Sequence, residues 1–240
     1  MATSHRGDRS RTDTAVARVV DYYLQRVAMR SSYSCLDEAG RSVAPQELQA
    51  RIDGMLRAWR PILLVYWISD TLTLATAAMR TPPFLRLLRS VRVVVDSTLA
   101  GRSTARFLNA HGAQYSVLGH SGGAARLSEL SDLMRNRRSC AIAVDGGGPY
   151  STVRPGLAAF AASMRAVVVP LAAWSSRAVP ITLRSKVRLP LPGGHITVAL
   201  GAPRVLAAGR SRAVQAESIA SFLSELRRNA TAAPAGSSRL

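Results

Sequence analysis

The sequence predicts an α/β domain with a mixed, mostly parallel sheet flanked by helices on both faces. Three observations lead there. Between residues 14 and 228, segments with apolar residues at helical spacing alternate with short apolar runs of strand length. Residues 61–67 are apolar throughout, as in a strand covered on both faces. Residues 140–174 form a complete strand–loop–helix–strand unit, with Asp145 at the carboxyl end of its first strand. Open α/β sheets place their ligand sites at such strand ends.

In chain order, a first helix over 14–30 places Val16, Val19, Val20, Tyr23, Leu24 and Val27 on one stripe. A second over 45–59 aligns Leu48, Ile52, Met55 and Leu56. The strand over 61–67 leads into a buried helix, and a strand over 91–95 leads into a helix over 98–110 that Gly112 stops. A strand over 115–118 is followed by the loop 119–123 and a helix reaching about residue 136. The 140–174 unit supplies two more strands, and 179–200 reads as short, proline-interrupted β runs. A last helix over 211–228 carries Val214, Ile219, Phe222, Leu223 and Leu226. One domain over 13–229 is expected, with polar tails at 1–12 and 230–240.

Composition bounds the possibilities. At 240 residues, with 48% apolar content and mean hydropathy of +0.08, the chain can bury a full core. The net charge of +18 is carried almost wholly by arginine, since Lys186 is the single lysine. Guanidinium forks suit phosphate oxygens, whether of lipid headgroups or nucleic acid. Nucleic acid is not the expected partner, because aromatics make up only 5% and do not interleave with the arginines. Two cysteines, Cys35 and Cys140, argue against a disulfide framework or a zinc site. The polar start is unlike a signal peptide, and the longest apolar stretch, 61–79, is interrupted by Asp70. A cytoplasmic protein with no membrane span is expected.

The motif order over 62–203 is ILLVYWIS, VVVDSTLAGR, VLGHSGGAARL, IAVDGGGPY, VRPGLAAFA, AVVVPLAAW, RLPLP and VALGAP. This order resembles the lysophospholipid acyltransferase-like superfamily, with most similarity to its bacterial DUF374 branch. The second half, 139–203, matches best. The resemblance implies fatty acyl transfer from acyl-CoA or acyl-carrier protein to a lipid or sugar-lipid hydroxyl. It also implies an anionic membrane surface as partner, placement at the inner membrane and no cofactor. In that superfamily a histidine acts as general base on the acceptor hydroxyl and an aspartate orients it. Here the corresponding positions are Ile68 and Ala100, and no histidine has an aspartate five residues on. The arginine of the phosphate-binding loop is replaced by Leu118. A general base contributes about 10²- to 10⁴-fold, and isoleucine supplies none of it. A catalytically inactive relative that binds lipid or a partner protein is therefore the alternative.

Several residues carry candidate chemistry. Gly119, His120, Ser121, Gly122 and Gly123 follow a strand and open a helix. They fit either an anion-binding turn or a nucleophile elbow presenting Ser121, with Asp145 and His195 following in triad order. His120 is a candidate replacement base. Asp145, with Gly146, marks a strand-end site or an Asx-type turn. Trp67, Ser69 and Asp70 lie where the superfamily's catalytic strand ends, and Asp70 also suits the cap of the following helix. Residues 82–89 combine proline, phenylalanine, leucine and arginine, as in an interfacial segment or an ordinary surface helix.

Overall fold

A computed structural model describes residues 5–58, 61–97, 99–118, 123–134, 139–146, 150–181, 187–206 and 209–233. Its strands are β1 (Ser32–Leu36), β2 (Ile62–Tyr66), β3 (Arg92–Asp96), β4 (Gln114–Leu118), β5 (Cys140–Ala143), β6 (Val167–Ser175), β7 (Ala178–Pro180), β8 (Arg188–Pro190), β9 (His195–Leu200) and β10 (Arg204–Val205). Its helices are α1 (His5–Arg30), α2 (Pro45–Ala58), α3 (Thr71–Ala78), α4 (Pro82–Ser90), α5 (Leu99–Ala110), α6 (Gly123–Met134), α7 (Pro155–Ser163) and α8 (Arg212–Ala232). A 3₁₀ turn, Ile68–Asp70, joins β2 to α3.

Among the described residues the main sheet has eight strands in the order β1-β9-β6-β2-β5-β3-β4, with β10 pairing beside β6. β2 pairs in parallel with both β5 and β6, and β3 with both β5 and β4. β9 runs antiparallel to β6, and β1 parallel to β9. The expected mixed, mostly parallel α/β sheet is thus what forms. After β4 the chain returns to insert β5 between β3 and β2, then crosses to place β6 on the far side of β2. The carboxyl ends of β5, β2 and β6 therefore meet at one crevice, the switch point of the sheet.

Alternation along β2 builds the two cores. Ile62, Leu64 and Tyr66 face a cluster with Leu24, Ile52, Leu74, Phe84 and Phe107, from α1 to α5. Leu63, Val65 and Trp67 face a second cluster with Leu130, Leu157, Ile219 and Leu223, from α6 to α8. Every β2 residue is buried, which explains the unbroken apolar run. Cys35 and Cys140 are both buried, and burial pushes both thiols up to about 11.

Some elements depart from expectation. The buried stripe of α1 is narrower than predicted, resting on Leu24, Val27 and Ala28, while Val19 is 69% exposed. α1 begins at His5, and α8 ends at Ala232. The 82–89 segment is an ordinary helix over the core. Pro83, Phe84 and Leu87 of α4 are buried, Arg86 pairs with Asp53 at 3.1 Å, and Arg89 donates to the His111 carbonyl. Its apolar face is turned inward, packed on the core. β1 and β10 are unforeseen: β1 mixes serines with apolar residues and completes the sheet only through β9.

Because β2 is buried on both faces, Leu64→Ala leaves a void that neither layer can close easily. The expected loss is about 2–5 kcal/mol, read as a lowered urea midpoint with an unchanged slope.

Candidate functional site

Past the last residue of β2, the chain turns sharply through Trp67, Ile68, Ser69 and Asp70. Two carboxylates hold that turn. Asp145 Oδ1 accepts the Ile68 N–H at 2.7 Å, and its Oδ2 accepts the Ser151 N–H at 2.8 Å. Asp145 is 2% exposed. It ties the end of β2 to the end of its own loop, and both oxygens are engaged by backbone donors. Of the two readings of Asp145, a strand-end site or an Asx-type turn, these bonds are those of a turn residue, and they bridge two strand ends rather than its own loop alone. Gly146 continues the turn, its N–H meeting the Ala143 carbonyl.

Asp70 is the second carboxylate, and a side-chain cap is not what it provides: at the start of α3 it makes no capping hydrogen bond. It is instead 1% exposed and faces inward. Oδ1 lies 3.1 Å from Arg227 Nη1 of α8 and accepts the Ser69 hydroxyl at 2.9 Å. Oδ2 accepts the Ala173 N–H of β6 at 3.2 Å. Ser69 in turn accepts from Arg227 Nη1 at 2.6 Å. Burial pushes the Asp70 carboxyl up from 3.8 to about 6, against the opposing pull of Arg227, and the nearby Asp145 charge adds to the rise.

Over this turn opens a cavity of about 490 Å³, lined by Trp67, Ser69, Ser151, Arg188, Ser224, Arg227, Arg228 and Thr231. Four of these sit on α8 at positions i, i+3, i+4 and i+7, which share one face of a helix. That polar stripe runs one residue behind the apolar stripe of Ile219, Leu223, Leu226 and Ala230 that seats α8 on the sheet. Arg188 of β8 lies 4.0 Å over the Trp174 ring, and Arg227 lies 5.8 Å from the same ring. Burial, and then the neighbouring Arg227 guanidinium, pull Arg188 below its usual value, while Asp70 partly offsets them. The described lining carries three guanidiniums and no acidic side chain. Counting the two carboxylates behind the wall, Asp70 and Asp145, still leaves an excess of one positive charge (3 − 2). Three forks, hydroxyl donors and an indole make a site for a phosphate or sulfate-like anion.

Of the predicted site residues, Trp67 lines this cavity, and Asp70 and Asp145 brace it from behind. Gly123 opens α6. Gly119, His120, Ser121 and Gly122 lie outside the described residues. Asp145 and His195 do not form a triad. His195 sits on β9, separated from β5 by β6 and β2, and both its ring nitrogens bond serines. Ser151, Arg188, Ser224, Arg227, Arg228 and Thr231 were not foreseen as a group. The 224/227/228/231 spacing was the available signal. No family model matches the chain, and no curated protein matches it.

Replacing Asp145 strips two backbone N–H groups of a charged acceptor. Asp145→Ala is expected to cost about 3 kcal/mol in chemical denaturation.

Proposed function

We propose that the chain binds a phosphate-bearing headgroup in the Arg188–Arg227–Arg228 cavity, as a catalytically inactive relative of the lysophospholipid acyltransferase-like proteins it resembles. The observation that carries this is an arginine-lined cavity beside a turn whose Ile68, between the lining residues Trp67 and Ser69, stands in place of a histidine. The cavity opens at the end of β2, the strand that the resemblance aligns with the superfamily's catalytic strand, and Ile68 stands where that resemblance would put the base histidine. Its walls are arginine, serine, threonine and one indole, which suit a headgroup better than an acyl chain. The lipid is then held at an anionic inner-membrane surface, to which the +18 net charge also draws the protein. Among the described residues no helix is long and apolar enough to cross a membrane.

Acyl transfer from acyl-CoA or acyl-carrier protein is the second reading. Ser69, which lines the cavity and donates its hydroxyl to Asp70 behind the wall, favours it, with Asp70 as a non-standard base acting through that hydroxyl. Labelled acyl donor incubated with lysophosphatidic acid separates the two: no turnover fits the binding protein, and turnover lost in Asp70→Asn fits the enzyme.

Binding itself is measured with phosphatidic acid vesicles and, separately, with glycerol phosphate and sulfate in solution. Arg188→Ala and Arg228→Ala should each weaken all three about tenfold, the loss of one charge-assisted hydrogen bond. Equal binding by both variants would show mere attraction to the charged surface. If vesicles bind and glycerol phosphate does not, the ligand is a lipid in its bilayer.

The site should also respond to pH. Below about 6 Asp70 takes up a proton, its charge vanishes, and Arg227 is released toward the cavity. Sulfate keeps its charge between pH 7.5 and 5, so its affinity should rise as pH falls through that range. In Asp70→Asn the affinity should be high and nearly flat.

A further inference from the structure

His195 opens β9 beside the start of β1, two residues before Thr197, which pairs with Trp174 at the edge of the cavity. It is 8% exposed, and both ring nitrogens are engaged: Nδ1 lies 2.8 Å from Ser32 Oγ and Nε2 lies 2.9 Å from Ser34 Oγ. Ser34 Oγ donates to Thr197 Oγ1 at 3.3 Å. A serine hydroxyl has one proton, so Ser34 spends it on Thr197 and must accept from His195 Nε2–H. The Nε2–H tautomer leaves Nδ1 as an acceptor, and the proton it faces is that of Ser32. Ser32 is exposed, whereas Ser34 is 2% exposed. The pattern is an exposed hydroxyl against a buried, tautomer-locked imidazole, the arrangement by which a base activates a serine.

We propose that Ser32 is a nucleophile activated by His195, with Ser34 as the positioning residue, and that the pair attacks small activated esters reaching the β1 edge of the sheet. In the first step the Ser32 Oγ–acyl bond forms as the ester C–O bond breaks. The serine proton passes to His195 Nδ1 and then to the departing alcohol. Water, deprotonated by the same nitrogen, next cleaves the acyl-serine, releasing a carboxylic acid and restoring the hydroxyl. No other reactant is required. The proposal does not rest on anion binding in the cavity, although Thr197 of this network pairs with Trp174 beside it.

His195 is neutral over a wide range, because burial pulls it below its usual value of 6.5. Its polar side-chain partners are uncharged hydroxyls on β1. Its backbone N–H bonds Ser176 Oγ, and Arg177, on the turn facing Gly193 and Gly194, is held by the Pro192 carbonyl.

The test is labelling of the full chain with a fluorophosphonate, the modified peptide being mapped by mass spectrometry, alongside 4-nitrophenyl acetate hydrolysis. The expected result is label on Ser32, abolished in Ser32→Ala, an exposed change that leaves the fold intact. Labelling in His195→Gln should be slower by about 10² or more. The rate should hold at neutral pH and fall only in acid, below the ordinary histidine range. Ser34→Ala should move that midpoint, and Ser34→Thr should leave it in place. Absence of label on the folded protein, label on a different residue, or equal labelling of Ser32→Ala would each overturn the proposal.

Discussion

A single buried carboxylate, Asp70, gathers the walls of the candidate site. It draws in Arg227 from α8, the hydroxyl of Ser69 and the N–H of Ala173 in β6. Stripping a carboxylate of water costs several kcal/mol, and one ion pair does not reliably offset this. The two added hydrogen bonds matter for that reason, and the raised carboxyl shows burial still outweighing them. The consequence is positional. With Arg227 pinned, the register of α8 is set, and Ser224, Arg228 and Thr231 must face the same cavity. Asp145 completes the frame by fixing the Ile68 N–H, so the turn after β2 has little freedom to shift.

The layered fold was legible because periodicity reports burial directly. β2 is apolar at every position since both faces are covered, and α2 shows its stripe since one face is. β1 escaped because Ser32 and Ser34 serve the histidine of β9 rather than a greasy core. The site was only half legible. Trp67, Asp70 and Asp145 were marked by their place at strand ends, which is a local property. Asp70 suggested a cap for the same local reason, since an aspartate precedes a helix. Its true partner, Arg227, bonds the adjacent Ser69 from 158 residues away, and no local rule reports such a pairing. Arg188 likewise joins the site through the β7–β8 hairpin, whose placement over Trp174 depends on the finished sheet.

Scaffold and chemistry separate in this molecule. An α/β sheet with its crevice at a switch point serves many reactions and many ligands. What distinguishes this crevice is what lines it: guanidiniums, hydroxyls and one indole. Such a lining recognises a fixed anion well and moves protons poorly. The serine–histidine pairing joins the edge strand β1 to β9 and reaches Trp174 beside the cavity through Thr197, so binding and any hydrolytic reactivity would be neighbouring properties of one end of the sheet.

Crystals soaked in selenate would test the central claim most directly, because anomalous scattering locates the anion without reference to the fold. An anion peak between Arg188, Arg227 and Arg228, lost in crystals of Arg188→Ala, is the predicted result. Selenate found only at scattered surface arginines, with the cavity empty, would contradict it.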